Sequence, residues 1–171
     1  MPPGASEFNT IITQYAAGVY NHAYRMLNSR EDAEEATQDV FRKVHAGLGD
    51  FRGDAKLSTW IWRITANVCL TRLAKKRMDT VLLAGDPADE DCSSNPERAL
   101  IGSEERKRLA ELISALDPRE ASAINLFYYE GMRYDEISET LGVPPGTVAT
   151  MLHRGRERLR AMLLKEKGVR E

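Results

Sequence analysis

The chain has 171 residues, of which 42% are hydrophobic and 29% charged, with a formal net charge of −2. That is the composition of an ordinary globular protein with room for one domain or two small ones, and it excludes a fibrous or disordered chain. The slight negative balance excludes indiscriminate polyanion binding, so any contact with nucleic acid must rest on local patches.

From the N-terminus, MPPGASEF lacks a basic region followed by an apolar core, so no signal peptide is expected. No apolar run approaches a membrane span. The two cysteines, Cys69 and Cys92, have no metal-ligand spacing and fit a reducing compartment, which places the protein in the cytoplasm. Phe8, Ile11, Ile12, Tyr15, Val19, Ala23 and Met26 recur at helical spacing and predict a first helix from about Glu7 to Leu27. Asn28-Ser29-Arg30 breaks it, and Ser29 with Asp32 starts a second helix to about Ala46. That helix turns Ala33, Ala36, Val40, Phe41 and Val44 inward and carries Glu31, Glu35, Gln38, Asp39 and Arg42 on its other side. Gly47 and Gly49 end it, and Phe51 to Asp54 is a loop.

The stretch FRGDAKLSTWIWRITANVCLTRLAKKR, residues 51–77, holds both tryptophans and ends in Arg72, Lys75, Lys76 and Arg77. Leu57, Trp60, Ile61, Ile64 and Val68 form one apolar stripe, and Trp62, Ala66, Cys69 and Leu73 a second. Between them Thr59, Arg63 and Asn67, spaced four apart, predict a narrow polar face. Arg63 can hold a phosphate, and the Asn67 amide can both donate to and accept from a base edge. A helix buried on two sides, polar on the third and basic at its exit suits nucleic acid.

Asp79 to Glu97 has six acids and no base; with Gly85, Pro87 and Pro96 it reads as a flexible acidic linker. Leu109, Leu112, Ile113 and Leu116 mark the next helix, and Asp117-Pro118-Arg119-Glu120 starts another with Asp117 as cap. A short helix over Tyr134–Leu141, the turn Gly142-Val143-Pro144 and a longer helix from near Pro145 to about Leu164 make a helix-turn-helix. Val148, Leu152, Gly155, Leu159 and Met162 share the packing face of the last helix. Thr150, His153, Arg154 and Glu157 point away, as on a recognition helix, within the cluster Arg154, Arg156, Arg158, Arg160. His22, His45 and His153 are scattered, and neither a catalytic constellation nor a phosphate loop is present; no enzyme, metal, cofactor or small-molecule substrate is expected.

SREDAEEATQDVFRKV, residues 51–77 and LDPREASAINLFYYEGMRYDEISETLGVPPGTVATMLHRGRERLR, in this order, resemble the extracytoplasmic-function (group IV) sigma factors of bacterial RNA polymerase. The resemblance implies an all-α chain: a region-2-like bundle over 1–78, an acidic linker over 79–97 and a region-4-like helix-turn-helix domain over 98–171. It implies that Glu35, Gln38, Asp39 and Phe41 bind core RNA polymerase. It places −10 promoter recognition and melting on Lys56, Ser58, Thr59, Arg63, Asn67, Arg72, Lys75 and Lys76, with Asn67 capturing a flipped base. The −35 element would fall to Thr147, Thr150, His153, Arg154, Arg156 and Arg158. Relatives are held by an anti-sigma factor, often membrane-anchored, which would keep this chain at the inner membrane face. GTVATMLHRGR departs from the family's GTVKSRLHRAR at Ala149 and Met151, and Arg133 stands where a Ser or Thr cap is usual. The competing reading is a free-standing helix-turn-helix regulator whose first domain senses a ligand or dimerises.

Overall fold

In the computed structural model, which describes residues 5–83 and 103–168, every regular element is helical. Helix α1 spans Ala5–Leu27 and buries Ile11, Val19, Ala23 and Met26 along the stripe that its spacing predicts. Asn28 then takes a left-handed conformation (φ 49°), which Asn tolerates because its short polar side chain costs little there. That reversal lets Ser29 cap α2 (Arg30–Leu48), its hydroxyl accepting from the Asp32 N–H at 3.2 Å. Gly47 stays inside α2, and the helix closes at Gly49.

Helix α3 (Leu57–Leu83) packs on α1 and α2, burying Ile61, Trp62, Ala66, Val68 and Cys69. The helix runs past the expected linker boundary: Asp79 to Leu83 continue it, because no turn former occurs before Gly85. The remaining part of the expected linker lies outside the described residues. Helices α4 (Ser103–Ser114), α5 (Pro118–Tyr128), α6 (Tyr134–Leu141) and α7 (Pro145–Glu166) build the second unit. Asp117 caps α5 by accepting from the Arg119 N–H at 3.0 Å. Arg133 has no acceptor with which to cap α6; instead its own N–H donates to Glu136 at 2.9 Å. Gly142, at φ 65°, makes the left-handed turn between α6 and α7. At Gly155 an added Cβ would lie 2.9 Å from Cγ1 of Ile124, so this glycine sets how closely α7 approaches α5.

The two units do not hang apart. Helix α1 packs on α4 and α5, and α3 packs on α5 and α6, so buried side chains of both units join one core.

Candidate polymerase and nucleic-acid interfaces

On α2 the charged face forms as its spacing predicts: Glu31, Glu35, Gln38 and Arg42 are exposed and Asp39 is half-buried. Phe41, which the resemblance pairs with that face, lies on the inward side, as its spacing predicts. Its neighbours Val40 and Val44 draw the ring to the core side, and it is 9% exposed. A feature without local signal is the response of α3. Arg72 donates to both Glu35, at 3.2 Å, and Asp39, while Lys76 lies 3.6 Å from Asp32. The hydrogen bond from Arg72 holds the Asp39 carboxyl below the usual carboxylate range, and Asp39 in turn raises Arg72. The basic exit of α3 is therefore partly turned onto the acidic face of α2, leaving Lys75 exposed without an ion pair among the described residues.

The polar face of α3 holds Arg63, half-buried, and Asn67, exposed, but Thr59 is 2% exposed and lies in the interior. The cause is helical geometry. Steps of four residues overshoot a turn, so Thr59 and Asn67 differ by about 80° around the axis and only Asn67 clears the packed side. Ser58 is half-buried and Lys56 exposed just before the helix. Lys56 and Arg63 are both occupied by α6: Lys56 Nζ meets Glu136 at 2.8 Å, and Arg63 donates to the Glu139 carbonyl at 3.0 Å and lies 3.7 Å from its carboxylate. The capping Arg133 N–H, with Lys56 beside it, holds the Glu136 carboxyl below its ordinary range.

On α7, Thr150, His153 and Arg154 are exposed together, and Thr147 is half-buried at the start of the helix. His153 and Arg154 have neither a hydrogen bond nor an ion pair among the described residues, as expected of a surface awaiting a ligand. Arg156 and Arg158 are exposed as well, but both have partners within the protein. Arg156 reaches the Tyr128 hydroxyl at 3.5 Å, and Arg158 donates at 2.9 Å to Glu120, a 6% exposed carboxylate on α5. Glu120, placed by spacing in a capping box, thus braces α5 against α7.

Sequence reasoning also missed Arg25. Its guanidinium leaves α1, sits 3.7 Å over the Tyr129 ring, donates to Asn125 Oδ1 at 2.5 Å and lies 3.8 Å from Glu130. Burial pushes the Glu130 carboxyl up to about 7, with Arg25 opposing the shift. Asn125 is fully buried and its amide nitrogen donates to the Ala121 carbonyl. A polar residue inside the apolar run AINLF was the available sign.

Residues 11–78 match the family model "Sigma-70 region 2", and residues 106–159 match "Sigma-70, region 4". The chain is 32% identical over 165 residues to the ECF RNA polymerase sigma factor SigW of Bacillus subtilis, covering 91% of this chain and 88% of SigW. It is 33% identical over 162 residues to the ECF sigma factor SigE of Mycolicibacterium smegmatis, covering 92% of this chain and 62% of that protein. Its fold is similar to that of the sigma factor RpoE from Bartonella quintana, solved in complex with the anti-sigma factor NepR. The TM-score is 0.76 and the identity 19%, over 97% of this chain and 100% of that one. A free-standing regulator is not favoured, since the first domain is itself a sigma region 2. Two sigma regions in order, on a chain that spans most of a relative at this identity, leave one conclusion: the protein belongs to the extracytoplasmic-function RNA polymerase sigma factors, non-enzymatic alternative factors that direct transcription initiation.

Proposed function

We propose that the chain binds core RNA polymerase through α2, with Glu35 and Gln38 as contacts and Asp39 fixed in place by Arg72. Lys56, Ser58, Arg63 and Asn67 read and open the −10 element, and Thr147, Thr150, His153 and Arg154 read the −35 element in the major groove. Two observations support this division: an exposed carboxylate row on α2, and a His153–Arg154 surface with no partner among the described residues. The first carries the reading, because a charged docking face is what separates a polymerase subunit from a ligand sensor. The test is Glu35→Lys, chosen over Asp39 because the Asp39–Arg72 pair then survives. Glu35 is 62% exposed, and loss of its exposed pair with Arg72 costs no more than about 1 kcal/mol. Helical content should therefore stay constant while co-purification with core polymerase is lost. Undiminished recovery of core enzyme would remove α2 from the interface.

An anti-sigma factor is the second partner in this reading. The groove between α4, α5 and α7, lined by Leu109, Ile113, Ile124, Leu159 and Leu163, supports it as open apolar surface that a partner helix can cover. We place the protein in the cytoplasm. No described helix is long and apolar enough to cross a membrane, so attachment to the inner face would come through that partner. Fractionation with and without the co-expressed partner tests this.

A further inference from the structure

The question is which base α7 selects, and the answer rests on the assignment of that helix to the −35 element. Gly146, Thr150 and Arg154 stand four residues apart on α7 and all three are exposed, a row that base edges in the major groove would meet. From Pro145 to Leu152 the helix carries no charged side chain, so its first two turns must read DNA by other means than the guanidinium that follows at Arg154. Thr150 and Gly146 decide what those turns offer.

The Thr150 hydroxyl donates to the Gly146 carbonyl at 3.0 Å. That bond uses the only proton the side chain has, so toward DNA Thr150 offers a methyl group and an oxygen that can only accept. Gly146 lies one turn earlier on the same row, and a Cβ added there would meet nothing within 4 Å. Its φ is not left-handed either. Neither packing nor backbone geometry therefore asks for glycine at a helical position where alanine is the better helix former. What the missing side chain does leave is a notch beside Thr150, open to solvent.

We propose that this notch seats the C5-methyl of a thymine: the methyl enters over Gly146 and packs against the Thr150 methyl, so that Gly146 and Thr150 make thymine the preferred base at one position of the −35 element. Of the four base edges in the major groove, only that of thymine carries a methyl. Guanine presents two acceptors there, N7 and O6, and a threonine oxygen whose proton is committed would face them as a third. Such a contact strips water from acceptors without supplying a donor, so guanine is the base most disfavoured. Adenine and cytosine offer an amino donor to the Thr150 oxygen but nothing to fill the notch, which places them between the two. Arg154, a further turn along the row, has the paired donors that suit guanine. Four residues advance the helix by about 6 Å, close to two base-pair steps, so the thymine and the guanine should lie about two pairs apart.

The experiment uses the full chain assembled with core polymerase in four forms: wild type, Gly146→Ala, Thr150→Ser and Arg154→Ala. Wild-type holoenzyme first selects duplexes from a pool randomised over the promoter, which should enrich thymine at one −35 position and guanine about two pairs away. A selected duplex is then compared with copies that carry deoxyuridine, or guanine with its complement, in place of the enriched thymine. Deoxyuridine removes the methyl and nothing else, so wild type should bind it about twofold to fourfold more weakly, the upper figure being that for one fully buried methyl. Guanine should weaken binding at least about fivefold. Gly146→Ala fills the notch, and Thr150→Ser removes the methyl while keeping the hydroxyl, so both should bind the thymine and deoxyuridine duplexes equally. A glycine of structural value only predicts the opposite: Gly146→Ala, with no neighbour to strike, would keep the wild-type preference for thymine. No enriched thymine, or equal wild-type binding of thymine and deoxyuridine in a duplex that Arg154→Ala binds less tightly, would overturn the notch and leave the −35 assignment standing. If neither Arg154→Ala nor Gly146→Ala alters the selected sequence, α7 is not the reading helix, and the notch falls with it.

Discussion

Arg158 separates two accounts of α7, and the pair that it forms with Glu120 allows a decision. As one of a run of arginines on a recognition helix it reads as a DNA contact. In the structure it donates at 2.9 Å to a carboxylate that is 7% exposed, while Arg158 itself remains 56% exposed. Arg158→Ala would leave the Glu120 carboxylate buried between α5 and α7 without a counter-charge. Stranding a fully buried charge costs about 3–5 kcal/mol, but water reaches the Arg158 side of this pair. A half-open pair argues for the lower range of roughly 1–3 kcal/mol expected for a stranded buried group. At about 2–4 °C per kcal/mol for a chain of this size, the melting temperature should fall by roughly 2–12 °C. Glu120→Met added to Arg158→Ala removes the stranded charge at similar volume and should return most of that stability. The assay is thermal unfolding of wild type, single and double variants, beside −35 duplex binding by each variant assembled with core polymerase. If Arg158 is only a brace, the double variant regains both stability and binding. A double variant that is stable but cannot bind the −35 duplex would refute the brace and return Arg158 to the DNA.

Arg154→Ala should weaken −35 binding: by roughly 1–3 kcal/mol at one base position if it reads a base, or evenly across variants with a shallower salt dependence if it holds a phosphate. No change in footprints or salt titrations would mean the recognition face is elsewhere. Asn67→Ala should leave fold and polymerase binding intact but fail to open duplex promoters, shown by lost permanganate reactivity near the start site and rescue on a template pre-melted at −10; normal melting would remove Asn67 from the mechanism. His22 is fully buried and burial lowers it to about 3, so its unfolded form takes up a proton that the folded form refuses as pH drops below about 6.5. Its contribution is therefore lost with acid, by up to roughly 1.4 kcal/mol per pH unit across that window, and His22→Leu should flatten the acid limb of denaturant midpoints; an unchanged limb would show that the burial is not maintained in solution.

Helix positions were legible because each is a local decision. The stripe in α1, the Ser29 cap, the Asp117-Pro118 start and the Gly142 turn are set by residues within four positions of one another. The end of α3 was harder. The acids after Arg77 suggested a linker, but Met78, Val81 and Leu82 keep helical backbone although they are 65%, 72% and 77% exposed. Within the site, exposed residues such as Asn67, His153 and Arg154 stand where their spacing puts them. Phe41 is buried where its spacing puts it, and Thr59 leaves the polar face through the drift of a four-residue step around its own helix; Arg158 pairs with a carboxylate on a neighbouring helix, of which spacing along α7 carries no record. The Arg25–Asn125 bond joins residues a hundred positions apart and had no chance of being read locally.

Those long-range pairs also bear on how cations proposed to read DNA are carried on a chain of net charge −2. Four cations assigned by sequence to the −10 region have carboxylate partners in this fold: Lys56 with Glu136, Arg63 with Glu139, Arg72 with Glu35 and Asp39, and Lys76 with Asp32. Two of those carboxylates belong to the helix-turn-helix unit and the other three to α2, the helix proposed to face polymerase. Release of the first pair follows from separating the units; the second set is loosened only if the α2 carboxylates find other cations, as they would on docking to core enzyme. The affinity of the −10 region for DNA would then depend on both events, domain opening and polymerase docking. His153 and Arg154 on α7 have no such carboxylate partner among the described residues, and on this logic −35 contact precedes −10 engagement.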